Sequence, residues 1–149
     1  MDRFGKFTVL LNSIARSIYR IKCAEMGELG LKSTHVSCLY YLYRAERPLN
    51  LKELCGVCGE DKAAVSRAVN FLGREGYVAE GGAGKYRSPL SLTKKGEETA
   101  AIIAERIESL LAVAGGGIPD GERETLYKNL QAIADNLQKL CEKKGDIDG

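Results

Sequence analysis

Two guanidiniums, an amide and a hydroxyl recur on one side of a helical repeat in residues 61–75. Read at 3.6 residues per turn, Ala63, Ser66, Arg67, Asn70 and Arg74 share one face, and Lys62 stands at its start. That face holds no carboxylate. Arginine and lysine reach phosphate oxygens, and arginine, asparagine and serine also reach base edges in a major groove. Val65, Ala68, Val69 and Leu72 form the opposite, apolar stripe, so the helix has one side for a core and one for a partner. An ordinary amphipathic surface helix carries the same pattern, and the flanking residues decide between the two readings.

Other residue types capable of chemistry are sparse. No nucleophile–base–acid set, phosphate-binding glycine loop or metal cluster is visible, and an enzyme reading has no residues to rest on. The five cysteines are Cys23, Cys38, Cys55, Cys58 and Cys141. Cys55 and Cys58 form a CxxC, but both fall on apolar positions of a helix. A zinc site needs about four ligands, there is no second CxxC, and His35 is the only histidine. Core packing is the expected role of that pair. An odd cysteine count without a secretory leader argues against a disulfide framework. The N-terminus has no signal-peptide layout, and no apolar run approaches the ~20 residues of a membrane helix. A cytoplasmic protein is expected.

The elements that must position the 61–75 face can be read on both sides of it. Residues 51–58 form a short helix with Leu51, Leu54, Cys55 and Cys58 inward, capped by Asn50 and stopped by Gly59. Two short helices joined by a tight glycine-containing turn make a helix-turn-helix, whose second helix enters the groove. Gly76 ends the second helix. Residues 77–80 and 85–92 are expected to pair as a β-hairpin around Gly81, Gly82 and Gly84, with Lys85 and Arg87 near its tip. Pro89 implies an edge position. A basic, glycine-rich tip suits a phosphate backbone or a minor groove.

Longer helices flank this core. Residues 3–23 carry Phe4, Phe7, Leu11, Ile14, Ile18 and Ile21 at heptad-like spacing. Residues 33–45 form a helix capped by Ser33 or Thr34, with Val36, Leu39, Leu42 and Tyr43 inward. Thr93 caps a helix over residues 94–112, with Ile103, Ile107, Leu110 and Leu111 inward. Glycines 115–117 interrupt it. A last helix over 120–143 carries Leu126, Leu130, Ile133, Leu137 and Leu140, again at heptad-like spacing. Seams at both termini suggest a homodimer joined through Phe7, Leu11, Ile14, Ile18, Leu126, Leu130, Ile133 and Leu137. Packing of the two seams within one chain is the alternative. Net charge is +2, but residues 1–96 are basic and residues 97–149 acidic, which suits a protein presenting one side to a polyanion.

Taken together, these stretches resemble the MarR family of bacterial winged helix-turn-helix regulators. The matching segments are Leu51-Lys-Glu-Leu-Cys-Gly-Val-Cys-Gly, Asp61-Lys-Ala-Ala-Val-Ser-Arg-Ala-Val-Asn-Phe-Leu, Glu75-Gly-Tyr-Val and Leu92-Thr-Lys-Lys-Gly. The family's usual wing carries Asp-x-Arg. Here the tip reads Gly84-Lys85-Tyr86-Arg87, so Lys85 shares the candidate wing role with Arg87. The resemblance implies a single domain over residues 1–149, mainly α with a small β-hairpin wing. A winged helix-turn-helix lobe would span about 33–96, and a helical dimerisation lobe about 1–30 and 97–143. It implies a homodimeric regulator that binds double-stranded DNA at a pseudo-palindromic operator, usually a repressor released by a small ligand or by oxidation. DNA would be met by Lys62, Ala63, Ser66, Arg67, Asn70, Arg74, Lys85 and Arg87. Relatives line an effector pocket near the start of the second helix, which points to His35, with capping and packing there as the equal alternative role. Some relatives sense peroxide through a first-helix cysteine bonded by tyrosines, which points to Cys23 and Tyr40, with an inert thiol at Cys23 as the favoured alternative. No cofactor is expected. A rival reading is a winged-helix module used only for protein association.

Overall fold

The computed structural model describes residues 2–79 and 87–145. Among the described residues six helices follow in order, α1 (Arg3–Met26), α2 (Ser33–Arg44), α3 (Leu51–Cys58), α4 (Lys62–Arg74), α5 (Lys94–Ala114) and α6 (Asp120–Gly145), with a 3-10 turn at Gly27–Leu29. The chain divides into two compact units, Met1–Ile107 and Glu108–Gly149.

In the first unit, the core lies where α2, α3 and α4 meet. Val36 and Leu39 of α2, Leu54 of α3, and Val65, Val69 and Leu72 of α4 are completely buried. Ile103 of α5 and Val78 join them. Helix boundaries follow from local chemistry. Asn50 and Glu53 bond each other's backbone N–H groups at 2.9 and 3.0 Å, a reciprocal cap at the start of α3. Gly59 ends α3 in the left-handed region at φ 65°, which a residue with a Cβ enters only at a cost. Asp61 caps α4 by accepting from the Ala64 N–H at 2.8 Å.

Several expectations are corrected. The cap residue of α2 is Lys32, not Ser33 or Thr34, and its N–H donates to His35 Nδ1 at 3.1 Å. Tyr43 is 41 % exposed rather than inward, and Leu111 is 52 % exposed. Both lie near helix ends that outrun the core. Tyr41 takes the inner position beside it. α1 continues past Cys23 to Met26, and Met26 is the only buried residue on that helix. Phe4, Leu11, Ile14, Ile18 and Ile21 are all exposed on the chain, and Phe7 is half-buried.

Among the described residues there is no strand. One antiparallel bridge joins Val78 to Leu92, supported by Ala79 N–H to Ser91 O at 2.9 Å and Thr93 N–H to Tyr77 O at 3.0 Å. The expected hairpin tip, with Lys85, lies outside the described residues. The base of the segment is firmly tied. The Thr93 hydroxyl donates to Gly76 O and accepts from Gly96 N–H at 3.1 Å. Lys95 Nζ bonds Glu75 O at 2.7 Å and sits 4.1 Å from the centre of the Tyr77 ring. Leu90 N–H reaches Leu49 O at 2.8 Å, a long-range backbone bond that no local pattern announces.

The second unit contains the end of α5, a turn at the glycines, and α6. Gly117 has φ 85°. Arg123 holds the turn by donating to Gly115 O at 3.0 Å and Ile118 O at 3.1 Å. No residue of α6 is buried.

Candidate nucleic-acid interface

α4 is held from behind on its whole apolar side. Its stripe of Val65, Ala68, Val69 and Leu72 is buried against α2 and α3. Thr34 Oγ1 of α2 donates to Glu60 Oε2 at 2.6 Å, which ties the start of α2 to the turn before α4. The helix therefore presents its other face as a fixed surface. On that face Lys62, Ala63, Arg67, Asn70 and Arg74 are exposed, and Ser66 is half-buried. Among the described residues, neither Arg67 nor Arg74 has an ion-pair or hydrogen-bond partner. Two arginines kept free of carboxylates on a rigid helix can donate bidentate hydrogen bonds to phosphate or guanine. Arg87 is exposed beyond the Val78–Leu92 bridge. The structure thus brings the α4 residues onto one face. Lys85 cannot be placed with them.

Arg67 also edges a cleft. A cavity of about 410 Å³ is lined by Gly30, Lys32, Thr34 and His35 on one side, and by Ala64, Arg67, Ala68 and Phe71 of α4 on the other. His35 stacks on Phe71 at 4.2 Å between ring centres, with the planes 5° apart. Its Nδ1 accepts from Lys32 N–H, so the ring is held neutral. Burial lowers its pKa, and the nearby Lys32 charge lowers it further. His35 is both a packing residue and a lining residue, and the sequence left those two roles open. A larger concavity of about 510 Å³ lies at the C-terminal end of α2, against Tyr41, Arg44, Leu49 and Val57. It includes no residue of α4.

The cysteine sites separate. Cys23 and Cys141 are exposed, Cys38 is buried, and Cys55 and Cys58 are half-buried against the core. Tyr19 lies one turn before Cys23 on α1, and the neighbouring thiol raises the Tyr19 pKa. Tyr40 meets Tyr41 edge-on, with ring centres 5.3 Å apart. Among the described residues no group of three or more His, Cys, Asp or Glu could hold a metal ion. No helix among them is long and apolar enough to cross a membrane.

No family model and no curated protein sequence matches this chain. Solved structures do. A MarR/EmrR family transcriptional regulator from Acinetobacter sp. ADP1 is similar at 20% identity and TM-score 0.78, over 93% of this chain and 99% of that one. A MarR family regulator from Neisseria meningitidis is similar at 21% identity and TM-score 0.79, over 97% and 99% of the two chains. A putative MarR family transcriptional regulator from Listeria monocytogenes, complexed with a 26mer DNA, is similar at 22% identity and TM-score 0.73, over 92% and 89%. From α1 to α6, the chain has the fold of the MarR family transcriptional regulators.

Proposed function

We propose that this protein is a MarR family transcriptional regulator, a homodimer that binds double-stranded DNA at a pseudo-palindromic operator in the cytoplasm. The observation that carries the reading is α4. One face is fully buried, and the other displays Arg67, Asn70 and Arg74 without competing carboxylates. Ser66, Arg67 and Asn70 read base edges, while Lys62 and Arg74 hold phosphates. Arg87 and Lys85 contact the flanking groove. The exposed apolar seams of α1 and α6 are the surfaces through which two copies associate. A two-fold dimer sets its recognition helices about 34 Å apart, one turn of DNA.

Repression by operator occupancy is the expected mode, with release by a small molecule. The cleft at His35 and Arg67 supports an effector site, because a ligand there touches a residue that also faces DNA. A redox variant of the same reading uses Cys23, whose exposed thiol lies one turn from Tyr19. An unchanged peroxide response in Cys23→Ser would remove that variant.

Selection of bound sequences from random DNA tests the function and the symmetry together. The expected product is a palindrome whose half-sites are one turn apart. Binding that does not exceed the non-specific background, or that lacks salt dependence, would sink the proposal and leave a protein-association role. In fluorescence anisotropy, Arg67→Ala should cost about 1–3 kcal/mol of discrimination between bases. Lys85→Ala should weaken binding to all sequences alike and flatten the salt dependence by about one unit of slope.

A further inference from the structure

The cleft beside α4 is furnished for an oxyanion. Lys32 lines it from the start of α2 and Arg67 from the middle of α4. Among the described residues neither side chain has an ion-pair or hydrogen-bond partner. No carboxylate among them lines the cleft. Glu60, the acid beside it, is held by the Thr34 hydroxyl at 2.6 Å. The N-terminal end of α2 adds the positive end of a helix dipole. His35 is the residue that calls for a ligand. It is only 9 % exposed. Phe71 covers one face of its ring at 4.2 Å, and its Nδ1 accepts from Lys32 N–H at 3.1 Å. The ring is neutral, because burial and the Lys32 charge both lower its pKa, so its one proton sits on Nε2. Nε2 has no partner among the described residues and is not sealed from solvent. His35 lines the cleft, so that N–H opens into it. A buried donor without an acceptor is costly, and an acceptor entering the cleft removes the cost.

We propose that this cleft seats one backbone phosphate of the double-stranded DNA that α4 meets, with Lys32 and the His35 Nε2–H as phosphate-positioning groups beside Arg67. The proposal rests on the DNA-binding reading of α4. Arg67 belongs to both surfaces, since it lines the cleft and stands on the outer face of α4. DNA laid on that face brings its backbone to the mouth of the cleft. The two groups from the α2 side act differently. Lys32 is a charge on a flexible stem and neutralises the phosphate. His35 is uncharged and gives direction, because Phe71 and the Lys32 N–H fix its ring from two sides. A phosphate held in this way sets the register of α4 in the groove without reading a base.

The test is fluorescence anisotropy of the full chain on labelled duplexes across a chloride series. Lys32→Ala, at an exposed residue, should weaken binding to selected and random sequences alike. It should also lower the slope of log affinity against log salt by about one. His35→Asn keeps an acceptor for the Lys32 N–H and loses the N–H at the Nε2 position. It should weaken binding about tenfold with the slope unchanged, because a neutral donor releases no counterion. His35→Gln carries an amide N–H to that position and should recover most of the loss. A purely structural role would lower the melting temperature of both His35 variants and leave the affinity of the folded protein unaltered. In duplexes with single neutral methylphosphonates, one position should cost the unaltered chain about tenfold and cost Lys32→Ala nothing further. Unchanged affinity and slope in Lys32→Ala, or no methylphosphonate position coupled to Lys32, overturns the seat and leaves the α4 reading standing. Absence of any DNA binding by the unaltered chain removes both. Binding of inorganic phosphate that Lys32→Ala abolishes, with DNA affinity unaltered in the Lys32 and His35 variants, would make the occupant a free phosphate and overturn the assignment to DNA.

Discussion

α4 and α6 both carry an apolar stripe at helical spacing, yet they meet opposite fates. In α4, Val65, Val69 and Leu72 are completely buried within their own chain. In α6, Leu126, Ile133, Leu137 and Leu140 all remain exposed, and no residue of the helix is buried. The difference shows that a stripe specifies that something covers it, and leaves open what. α4 has the broader face of a helix set into a core, whereas α6 has a narrow seam of the coiled-coil kind. The outer face of α4 is the mirror case. It is polar, and its exposed guanidiniums lack partners among the described residues.

The sharpest way to break this comparison is to shorten one leucine on each helix. Leu72→Ala removes a fully buried side chain and should lower unfolding free energy by about 2–5 kcal/mol in denaturant melts. Leu137→Ala, at a residue 45 % exposed on the chain, should change monomer stability by no more than about 0.5 kcal/mol. It should instead raise the dimer dissociation constant in sedimentation experiments. A large loss of monomer stability from Leu137→Ala would mean that α6 buries its seam within one chain.

A smaller effect probes how α4 is anchored at its far end. A Cβ on Gly96 would lie 2.0 Å from the Tyr77 carbonyl oxygen, so α5 could not start where it does. Gly96→Ala should cost about 1–3 kcal/mol, as overpacking does, visible as a lowered melting temperature. The smallest effect is that of His35. Its folded pKa lies below the unfolded value of about 6.5. Between those two values the unfolded chain binds more protons, so stability rises with pH there. The contribution is complete above about pH 6.5 and is lost as pH falls toward the folded pKa. Melts of the native protein and of His35→Asn between about pH 7.5 and pH 5 should converge as the pH drops.

Much of the α2–α4 lobe is legible in sequence because its signals are local. Asn50, Gly59, Asp61 and Gly76 act within a few residues of themselves, and each sits where its chemistry demands. Tyr43 and Leu111 were misread because periodicity continues past the point where a helix leaves its core. The Leu49–Leu90 backbone bond and the His35–Phe71 stack join residues distant in sequence, and no spacing rule announces them.

By itself, the sequence determined the helices, the cap of α3 and the two faces of α4, since these follow from backbone conformation and side-chain polarity over one or two turns. It also presented the Leu92-Thr-Lys-Lys-Gly segment as a match to the family, without saying why it ends in glycine. Tertiary structure decided that. Gly96 is required because a carbonyl of the preceding segment occupies the space of a Cβ. It also decided that His35 stacks on a ring of α4 and that Arg67 borders a cleft. Such outcomes depend on which surfaces meet once the chain collapses, and burial brings them together irrespective of their separation in sequence.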